Sequence, residues 1–316
     1  MATNKKQHLD CVLKSHNIEN NETLITNYRA KRDEVKNDLL EKYKGKIYSP
    51  FNSGSYKKKT AVNIKFDIDL VIPFKKNGAD TLETIFTEIF NYFDQDYRKK
   101  DSTLIGVNKQ KVSIGLEFMV DGQILYLDIV PGREVNDYEK DGDLNLYVND
   151  TMGLIQKASC IKSNIQKQIE KIRDNSEARD GIKLLKVWKR RNNINVKSFF
   201  LELISIKAIE DHKGTVPNDN WNKLKYILEF IRDNVETVSL VDPGNSNNVV
   251  SDALEDFEKK NISENIKWML QDIENNDSSI ERHFPKNTEF PCEESNDKYI
   301  VSPNRKPEKL NNNDFG

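Results

Sequence analysis

Hydrophobic and polar positions follow two different periodicities along this chain. In residues 21–43 apolar side chains recur every three or four positions, and Lys and Glu occupy the other side, which predicts a long amphipathic helix. Residues 81–97 carry a second stripe at helical spacing. We expect the first helix to brace two halves of the molecule and the second stripe to lie in a core, not at a cofactor.

Other segments have the pattern typical of β-strands. The run 64–74 is apolar apart from Lys65, Asp67 and Asp69. Segments 107–120 and 123–131 predict two antiparallel strands, joined at Asp121-Gly122, a dipeptide that favours tight hairpin turns.

From residue 161 onward the spacing becomes helical. Helices are predicted at 178–191, 196–210, 221–235 and 251–273, while 241–250 is too rich in Asn, Pro and Gly to be helical. Strands with inserted helices, followed by a run of helices, predict an α+β architecture with a helical second lobe. Apolar density falls after about residue 277, so we expect the chain to become poorly ordered towards its end.

Two carboxylates stand in the middle of the first strand-like run. In extended backbone Asp67 and Asp69 point to one face, and the apolar side chains beside them point to the other. Carboxylates held that close repel each other, and proteins keep such pairs mainly where a cation lies between them. A solvated strand face is the common alternative for an isolated Asp-x-Asp, but charge inside a run otherwise fit for burial needs a partner.

A third carboxylate and a small-residue turn strengthen the metal interpretation. Asp128 lies in the β-prone run 124–130, which could form a strand beside the first, and three acids on adjacent strands can hold two metal ions. Ser53-Gly54-Ser55 is a turn of the kind that holds phosphate groups, although Gly and Ser are ordinary turn residues. Together these features favour a metal site that handles a phosphorylated substrate.

These motifs resemble the nucleotidyltransferase core of the bacterial CD-NTases, relatives of animal cyclic GMP-AMP synthase and oligoadenylate synthase. The similarity extends from about residue 50 to about residue 275 and rests on segments 53–62, 66–71, 127–131, 184–190, 197–203 and 241–249. The first three place the chain among polymerase-β-like nucleotidyltransferases generally, and the later segments narrow it to this branch.

The resemblance implies a bilobed fold with the active site in the cleft. A polymerase-β-like nucleotidyltransferase core, a mixed sheet with helices, would be followed by a helical C-terminal lobe. The implied boundaries are 1–160 for an N-terminal helix and the catalytic core, 161–280 for the helical lobe and 281–316 for a flexible tail.

The resemblance also implies the roles of individual residues. Asp67, Asp69 and Asp128 would hold two Mg²⁺ ions, for which Mn²⁺ could substitute, and Asp128 would accept the proton of the attacking hydroxyl. Gly54 and Ser55, with nearby backbone N–H groups, would cradle the terminal phosphates.

Two residues of the helical region complete the implied nucleotide site. Lys186 would contact the triphosphate and Ser198 would lie in the donor pocket. The alternatives are a surface lysine on an amphipathic helix and a helix N-terminal serine that satisfies backbone donors.

The implied product is a cyclic di- or trinucleotide second messenger, made with release of pyrophosphate from ATP alone or from ATP together with GTP or another NTP. It would act in bacterial anti-phage defence (CBASS) through a downstream effector that binds it. In some members of the family a ubiquitin-like transfer enzyme conjugates the tail, which makes Gly316 a candidate, and a tail without a role is the alternative. Transfer to RNA, protein or a small molecule, and an inactive nucleotide-binding regulator, are the other functions left open.

Composition narrows the choice of partners and compartment. The 316 residues contain 49 Lys and Arg against 51 Asp and Glu, so a net charge of −2 gives no strong case for nucleic-acid binding. Three widely spaced cysteines and four histidines predict neither a disulfide framework nor a zinc cluster, and a reducing cytoplasm is the simplest setting. No apolar stretch approaches the ~20 residues that span a membrane, and no signal-peptide core is expected at the N-terminus.

Overall fold

The computed structural model describes residues 3–64, 66–78, 81–149 and 159–292. Its main sheet runs in the order β1-β2-β5-β4-β3, with β6 paired to the far end of β5 and β7 paired to β6. Strands β2 and β5 are parallel, and the other pairs are antiparallel, so the sheet is mixed as predicted. The strands are β1 (Phe51–Ser53), β2 (Ile68–Phe74), β3 (Leu104–Lys109), β4 (Ile114–Val120), β5 (Gln123–Glu134), β6 (Leu144–Val148) and β7 (Ser159–Ser163).

Helices cover the sheet and build the second half of the molecule. A π-helical segment, Tyr92–Tyr97, links α4 to α5. The helices are α1 (Lys5–Ser15), α2 (Glu22–Lys42), α3 (Gly54–Lys57), α4 (Leu82–Asn91), α5 (Arg98–Lys100), α6 (Tyr138–Asp141), α7 (Ile165–Asp174), α8 (Arg179–Arg191), α9 (Ser198–Glu210), α10 (Asn220–Asn234), α11 (Asp256–Asn275) and α12 (Ile280–His283). Across the described ranges, none of them combines the length and the apolar character required to cross a lipid bilayer.

Two large apolar cores correspond to the two halves. One face of the main sheet packs against α2 and α4, and the buried side chains of this core include Ile68, Leu70, Val35, Leu39, Phe86 and Ile89. The second core joins α1, α8, α9, α10 and α11, so the first helix of the chain belongs to the helical half. Burial of these apolar faces is the main stabilising term for both halves.

The α+β prediction is confirmed, and several boundaries differ from the expected ones. Strand β2 begins at Ile68, so Asp67 precedes the strand. The predicted strand 107–120 is two strands, because Gln110 N–H donates to the Ser113 carbonyl and closes a turn between β3 and β4. The hairpin between β4 and β5 has positive φ at Asp121 and Gly122, as its sequence predicts.

Two segments of the helical half also differ from the elements that the sequence predicts. Segment 241–250 is not helical, as predicted, but it forms a small two-stranded ribbon of β8 (Val241–Asp242) and β9 (Asn245–Val249). Helix α11 begins at Asp256 and not near residue 251, because a capping box formed by Glu255 and Glu258 defines its start. The sequence pattern did not predict helix α1 or strands β6 and β7.

The end of the described chain packs on α1. Phe284 is fully buried, and its carbonyl lies 2.8 Å from His8 Nε2. A disulfide joins Cys11 to Cys292, so the prediction of no disulfide is wrong, and the cysteine count no longer argues for a reducing compartment. Residues 281–292 are therefore part of the packed helical half. Gly316 lies outside the described residues.

Candidate active site

Four residues lie side by side across the sheet. Ser53 of β1 is in register with Asp69 of β2, Asp69 with Asp128 of β5, and Asp128 with Gly115 of β4. Side chains of paired residues project from the same face of a sheet. The sheet therefore brings Asp69 and Asp128 together, as the two β-prone runs predicted.

Gly54 allows the backbone to approach Asp69 closely. It has a φ of 65°, in the left-handed region that favours glycine. A Cβ atom at this position would lie 1.6 Å from Asp69 Oδ2. Only glycine therefore leaves room for the carboxylate where the chain turns from β1 into α3.

Tyr28 of α2 fixes the backbone that precedes Asp67. Its hydroxyl donates to the Phe66 carbonyl at 2.8 Å and accepts from the Tyr126 N–H at 3.1 Å. Burial raises the pKa of Tyr28 to about 12, which keeps the hydroxyl protonated as a donor. Helix α2 thus connects the backbone just before β2 to β5, the strand that carries Asp128.

The acid cluster, defined as Asp67, Asp69 and Asp128, carries unfavourable electrostatics. Burial, reinforced by the charges of Asp67 and Asp128, raises the pKa of Asp69 to about 7. Asp128 Oδ1 accepts a hydrogen bond from Gln110 Nε2 at 3.0 Å. In the described ranges no three His, Cys, Asp or Glu side chains form a group that could hold a metal ion.

A cavity of about 370 Å³ opens beside the acid cluster, between the two halves. Carboxylate, hydroxyl and cationic side chains share its wall, and α8 contributes three cations at positions i, i+3 and i+4 of one face. The polar residues that line it are Ser55, Lys58, Thr60, Asp67, Lys186, Lys189, Arg190, Ser198 and Glu202. We call this space the donor cavity.

A buried ionic network closes the base of the donor cavity. Glu202 of α9 pairs with Lys186 of α8 at 2.7 Å and with Lys58, just after α3, at 3.1 Å. The Thr60 hydroxyl donates to Glu202 Oε1 at 2.8 Å. Burial disfavours ionisation of Glu202, yet the charges of Lys58 and Lys186 hold its pKa below the ordinary value.

No family model and no curated protein matches the sequence. Solved structures do match. CdnC of E. coli MS115-1, solved with ATP, is 17% identical with a TM-score of 0.69, covering 90% of this chain and 98% of its own. The cyclic dinucleotide synthase CdnE of Elizabethkingia meningoseptica is 13% identical with a TM-score of 0.57, covering 77% of this chain and 91% of its own. The cyclic AMP-GMP synthase DncV of Vibrio cholerae is 9% identical with a TM-score of 0.60, covering 78% of this chain and 70% of its own.

The chain has the CD-NTase fold. The resemblance inferred from the sequence motifs is thereby confirmed at the level of the fold. The motif residues lie where the two halves of the CD-NTase fold meet, in or beside the donor cavity.

The predicted site residues divide into those beside the acids and those in the donor cavity. Gly54 and Asp69 are in contact, and Asp128 is the strand neighbour of Asp69. Asp67, Ser55, Lys186 and Ser198 all line the donor cavity. Their catalytic and binding roles stay predictions.

Sequence reasoning missed Glu202, the centre of the ionic network. A signal was present, because this single carboxylate lies within the apolar stretch of α9, where Phe200, Leu201 and Leu203 are also buried. A charge inside a helix buried on all sides requires a partner. Its partners Thr60 and Lys58 are 142 and 144 residues away, and no local pattern identifies them.

Proposed function

We propose that this chain is a Mg²⁺-dependent nucleotidyltransferase that joins NTPs into a cyclic di- or trinucleotide and releases pyrophosphate. One observation carries the proposal. The register of β2 and β5 sets Asp69 beside Asp128, and Asp67 opens into a cavity that also presents cations and hydroxyls. Carboxylates next to a cationic cavity suit a reaction that transfers a phosphorylated group.

The residues of the acid cluster fit a divalent cation by their chemistry. They offer only oxygen donors, and the pKa of Asp69, raised by burial and by the two neighbouring carboxylates, is the expected property of ligands without their cation. Asp67, Asp69 and Asp128 would hold Mg²⁺, with Mn²⁺ as a substitute. When bound, the ions would neutralise charge on the triphosphate and lower the pKa of the acceptor hydroxyl.

The chain's own groups would position the two nucleotides. The cations of the donor cavity would hold the triphosphate, and Ser55 and Ser198 would donate hydrogen bonds within the same space. Asp128, oriented by Gln110, would accept the proton of the acceptor hydroxyl as its oxygen attacks the α-phosphorus and pyrophosphate leaves. Ring closure would repeat this step with the linear intermediate turned in the same site.

Structural neighbours support NTP substrates and a cyclic product. CdnC was solved with ATP, CdnE with GTP and Apcpp, and DncV with the linear intermediate pppA(3′,5′)pG. By the same similarity we propose a role in bacterial anti-phage signalling, with a downstream effector that binds the product. Conjugation of Gly316 by a ubiquitin-like transfer enzyme is part of this proposal.

The test is incubation of the purified chain with four labelled NTPs and Mg²⁺ or Mn²⁺, followed by phosphatase treatment and mass spectrometry. The matched control is the Asp67→Asn/Asp69→Asn variant, which keeps the shape of both side chains. We expect a phosphatase-resistant cyclic product from the natural chain and none from the variant. Equal product from both would contradict the proposed site.

A further inference from the structure

The side chain of Asn63 uses every hydrogen-bonding position of its amide. Its Nδ2 donates to the Ser15 carbonyl at 2.9 Å and to the Asn17 carbonyl at 3.3 Å. Its Oδ1 accepts from Asn287 Nδ2 at 3.0 Å, and His16 Nδ1 lies 3.1 Å from the same oxygen. A primary amide has two donors and an oxygen with two lone pairs, so these four contacts account for its whole capacity. Asn63 therefore joins the end of α1 to a residue 224 positions further along the chain.

Asn63 lies behind one wall of the donor cavity. That wall is formed by its sequence neighbours Thr60, Ala61, Val62 and Ile64. The Asn63 side chain, between Val62 and Ile64, contacts α1 and Asn287 instead. Its backbone N–H donates to the His16 carbonyl at 3.0 Å, so backbone and side chain are both bonded to this region. The position of the wall therefore depends on the groups that hold Asn63.

Segment 284–292 brings Asn287 to this contact. The Pro285 carbonyl oxygen lies 2.9 Å from His16 Nε2. The Asn287 N–H donates to Ser15 Oγ at 3.0 Å, while its side chain bonds to the segment that forms the wall. Since α1 belongs to the helical half, segment 284–292 links that half to a wall built by the loop after α3.

The disulfide between Cys11 and Cys292 fixes the end of segment 284–292 to α1. Cys11 is buried, whereas Cys292 is partly exposed, so a small dithiol can reach the Cys292 sulfur. A thiolate of the dithiol would attack Cys292 Sγ and release Cys11, which takes up a proton. The second thiol of the reagent would then close a ring and release Cys292 as a thiol. The two electrons come from the dithiol, which leaves as a cyclic disulfide, and the segment loses its covalent attachment.

On the basis of the proposed function, we propose that Asn63 is a positioning residue for the wall of the donor cavity, and that the Cys11–Cys292 disulfide controls how firmly segment 284–292 holds it. The oxidised chain keeps Asn287 against Asn63, so the wall is ordered before the donor nucleotide arrives. The reduced chain loses this attachment, so the nucleotide must order the wall as it binds, and its binding weakens.

Hydrogen exchange of the full chain tests the first step without any nucleotide. Mass spectrometry would compare residues 60–64 in the oxidised chain and after treatment with dithiothreitol, both in a Cys160→Ser background that removes an exposed thiol. We expect exchange at 60–64 to quicken roughly two- to tenfold on reduction, the effect of weakening one hydrogen bond. Exchange in the hairpin of β4 and β5 should not change. Cys292→Ser should behave as the reduced chain under both conditions.

Asn287→Leu tests the second step, because it keeps the size of the side chain and removes the donor to Asn63. In the oxidised variant we expect the KM for ATP to rise about three- to tenfold, with kcat within about twofold of the natural chain. Reduction of the natural chain should raise KM to the same extent, and reduction of Asn287→Leu should add nothing. Two changes that act through one contact are not additive, whereas independent structural defects would add.

Asn20→Leu is the matched control. It removes an amide that donates to the Lys14 and Ser15 carbonyls at the same helix end, at 2.7 and 3.2 Å. Its KM for ATP should stay within about twofold of the natural chain and should still rise on reduction.

Three results would overturn the inference. Exchange at 60–64 that does not respond to reduction would show that segment 284–292 does not act on the wall, and additive KM effects of reduction and Asn287→Leu would show that it does not act through Asn63. Cys11 and Cys292 found as thiols in the purified, air-oxidised chain would remove the disulfide from the scheme. If Asn287→Leu does not fold, Cys292→Ser decides, since an unchanged KM there overturns the inference. Absence of product from the natural chain in both redox states would instead overturn the proposed function, and the exchange comparison would then decide the inference alone.

Discussion

The turn at 54–60 contacts the acid cluster through Gly54 and the ionic network through Lys58 and Thr60, and the two clusters differ in how their charge is balanced. The acid cluster concentrates three carboxylates, and Lys58 offsets only part of their effect on Asp69. In the ionic network each charged group has an opposite charge within 3.1 Å. The protein therefore leaves the negative charge of the acid cluster largely uncompensated, whereas the charges of the ionic network compensate one another.

This difference separates binding chemistry from structural chemistry. A buried carboxylate whose pKa is raised to about 7 destabilises the fold when ionised and gains from a cation. A buried carboxylate with a lowered pKa, such as Glu202, is already stabilised by its neighbours. Proximity to the same cavity does not give two charged clusters the same role.

Gly54→Ala should damage the acid cluster most severely. The new Cβ would lie 1.6 Å from Asp69 Oδ2, so the carboxylate must move by more than about 1 Å, and misplacement on that scale costs roughly a hundredfold in rate. The steric clash and the strain at positive φ together should lower the free energy of unfolding by roughly 2–5 kcal/mol. Product formation and urea unfolding measure the two effects.

Gly45→Ala is the control for this substitution. Gly45 has a φ of 78°, but a Cβ added there would meet no atom within 4 Å, so it tests backbone strain alone. We expect a loss of about 1 kcal/mol and unchanged product formation. Equal defects in the two variants would show that the contact with Asp69 is unimportant.

The raised pKa of Asp69 predicts a pH-dependent stability without metal. Between the unfolded pKa of 3.8 and the folded value of about 7 the native chain binds the extra proton, so its contribution to the free energy of unfolding falls as pH rises through that window. The total change is about 4 kcal/mol. Asp69→Asn should remove this component, as measured by urea unfolding in EDTA from pH 4 to pH 8.

The response to Mg²⁺ provides a check on this pH dependence of stability. Because ionised Asp69 gains most from a cation, Mg²⁺ should raise the melting temperature of the natural chain more at pH 8 than at pH 5. The Asp69→Asn variant should respond less at both pH values. Parallel pH curves for the two proteins would contradict the raised pKa.

The acid cluster was largely predictable from sequence, because Asp69 and Asp128 each lie in a run whose β-pattern is local. The start of β2 was not, since Tyr28 of α2 takes the Phe66 carbonyl in a tertiary contact. The ionic network was invisible for the same reason: Thr60 and Lys186 are 126 residues apart. The disulfide joins residues separated by 281 positions, which only the packing of the chain end on α1 brings together.

Lys186→Met tests whether the ionic network is structural. Removing this lysine takes the hydrogen-bond donor away from Thr60 and leaves Lys58 as the remaining cation beside Glu202. We therefore expect the free energy of unfolding to fall by about 2–3 kcal/mol, which is less than the usual cost of leaving a buried charge without a partner. The Lys186→Met/Glu202→Gln variant should recover at least about 1 kcal/mol, because the second substitution removes the deeply buried carboxylate charge that Lys186 helped to balance and leaves only Lys58, on the cavity wall, charged. Chemical denaturation of the three proteins measures this, and additive losses would show that the two residues are not coupled.

Gln110→Ala should have the smallest effect, and it concerns orientation within the acid cluster. Gln110 Nε2 donates to Asp128 Oδ1 at 3.0 Å, and Ser113 Oγ holds the other end of the amide at 2.8 Å. Losing one such bond costs about 0.5–1.5 kcal/mol, so the initial rate of pyrophosphate release should fall roughly two- to tenfold with little change in stability.

Asn108→Ala is the matched control for Gln110. It removes a comparable exposed amide on the same hairpin, but that amide bonds to Glu117, away from the cavity. Its rate should stay within about twofold of the natural chain. A fall in rate with Gln110→Ala alone would identify Asp128 as a group whose orientation limits the reaction, because the bond to Gln110 adds little to the fold. Equal rates in both variants would mean that Asp128 is oriented by the strand register alone.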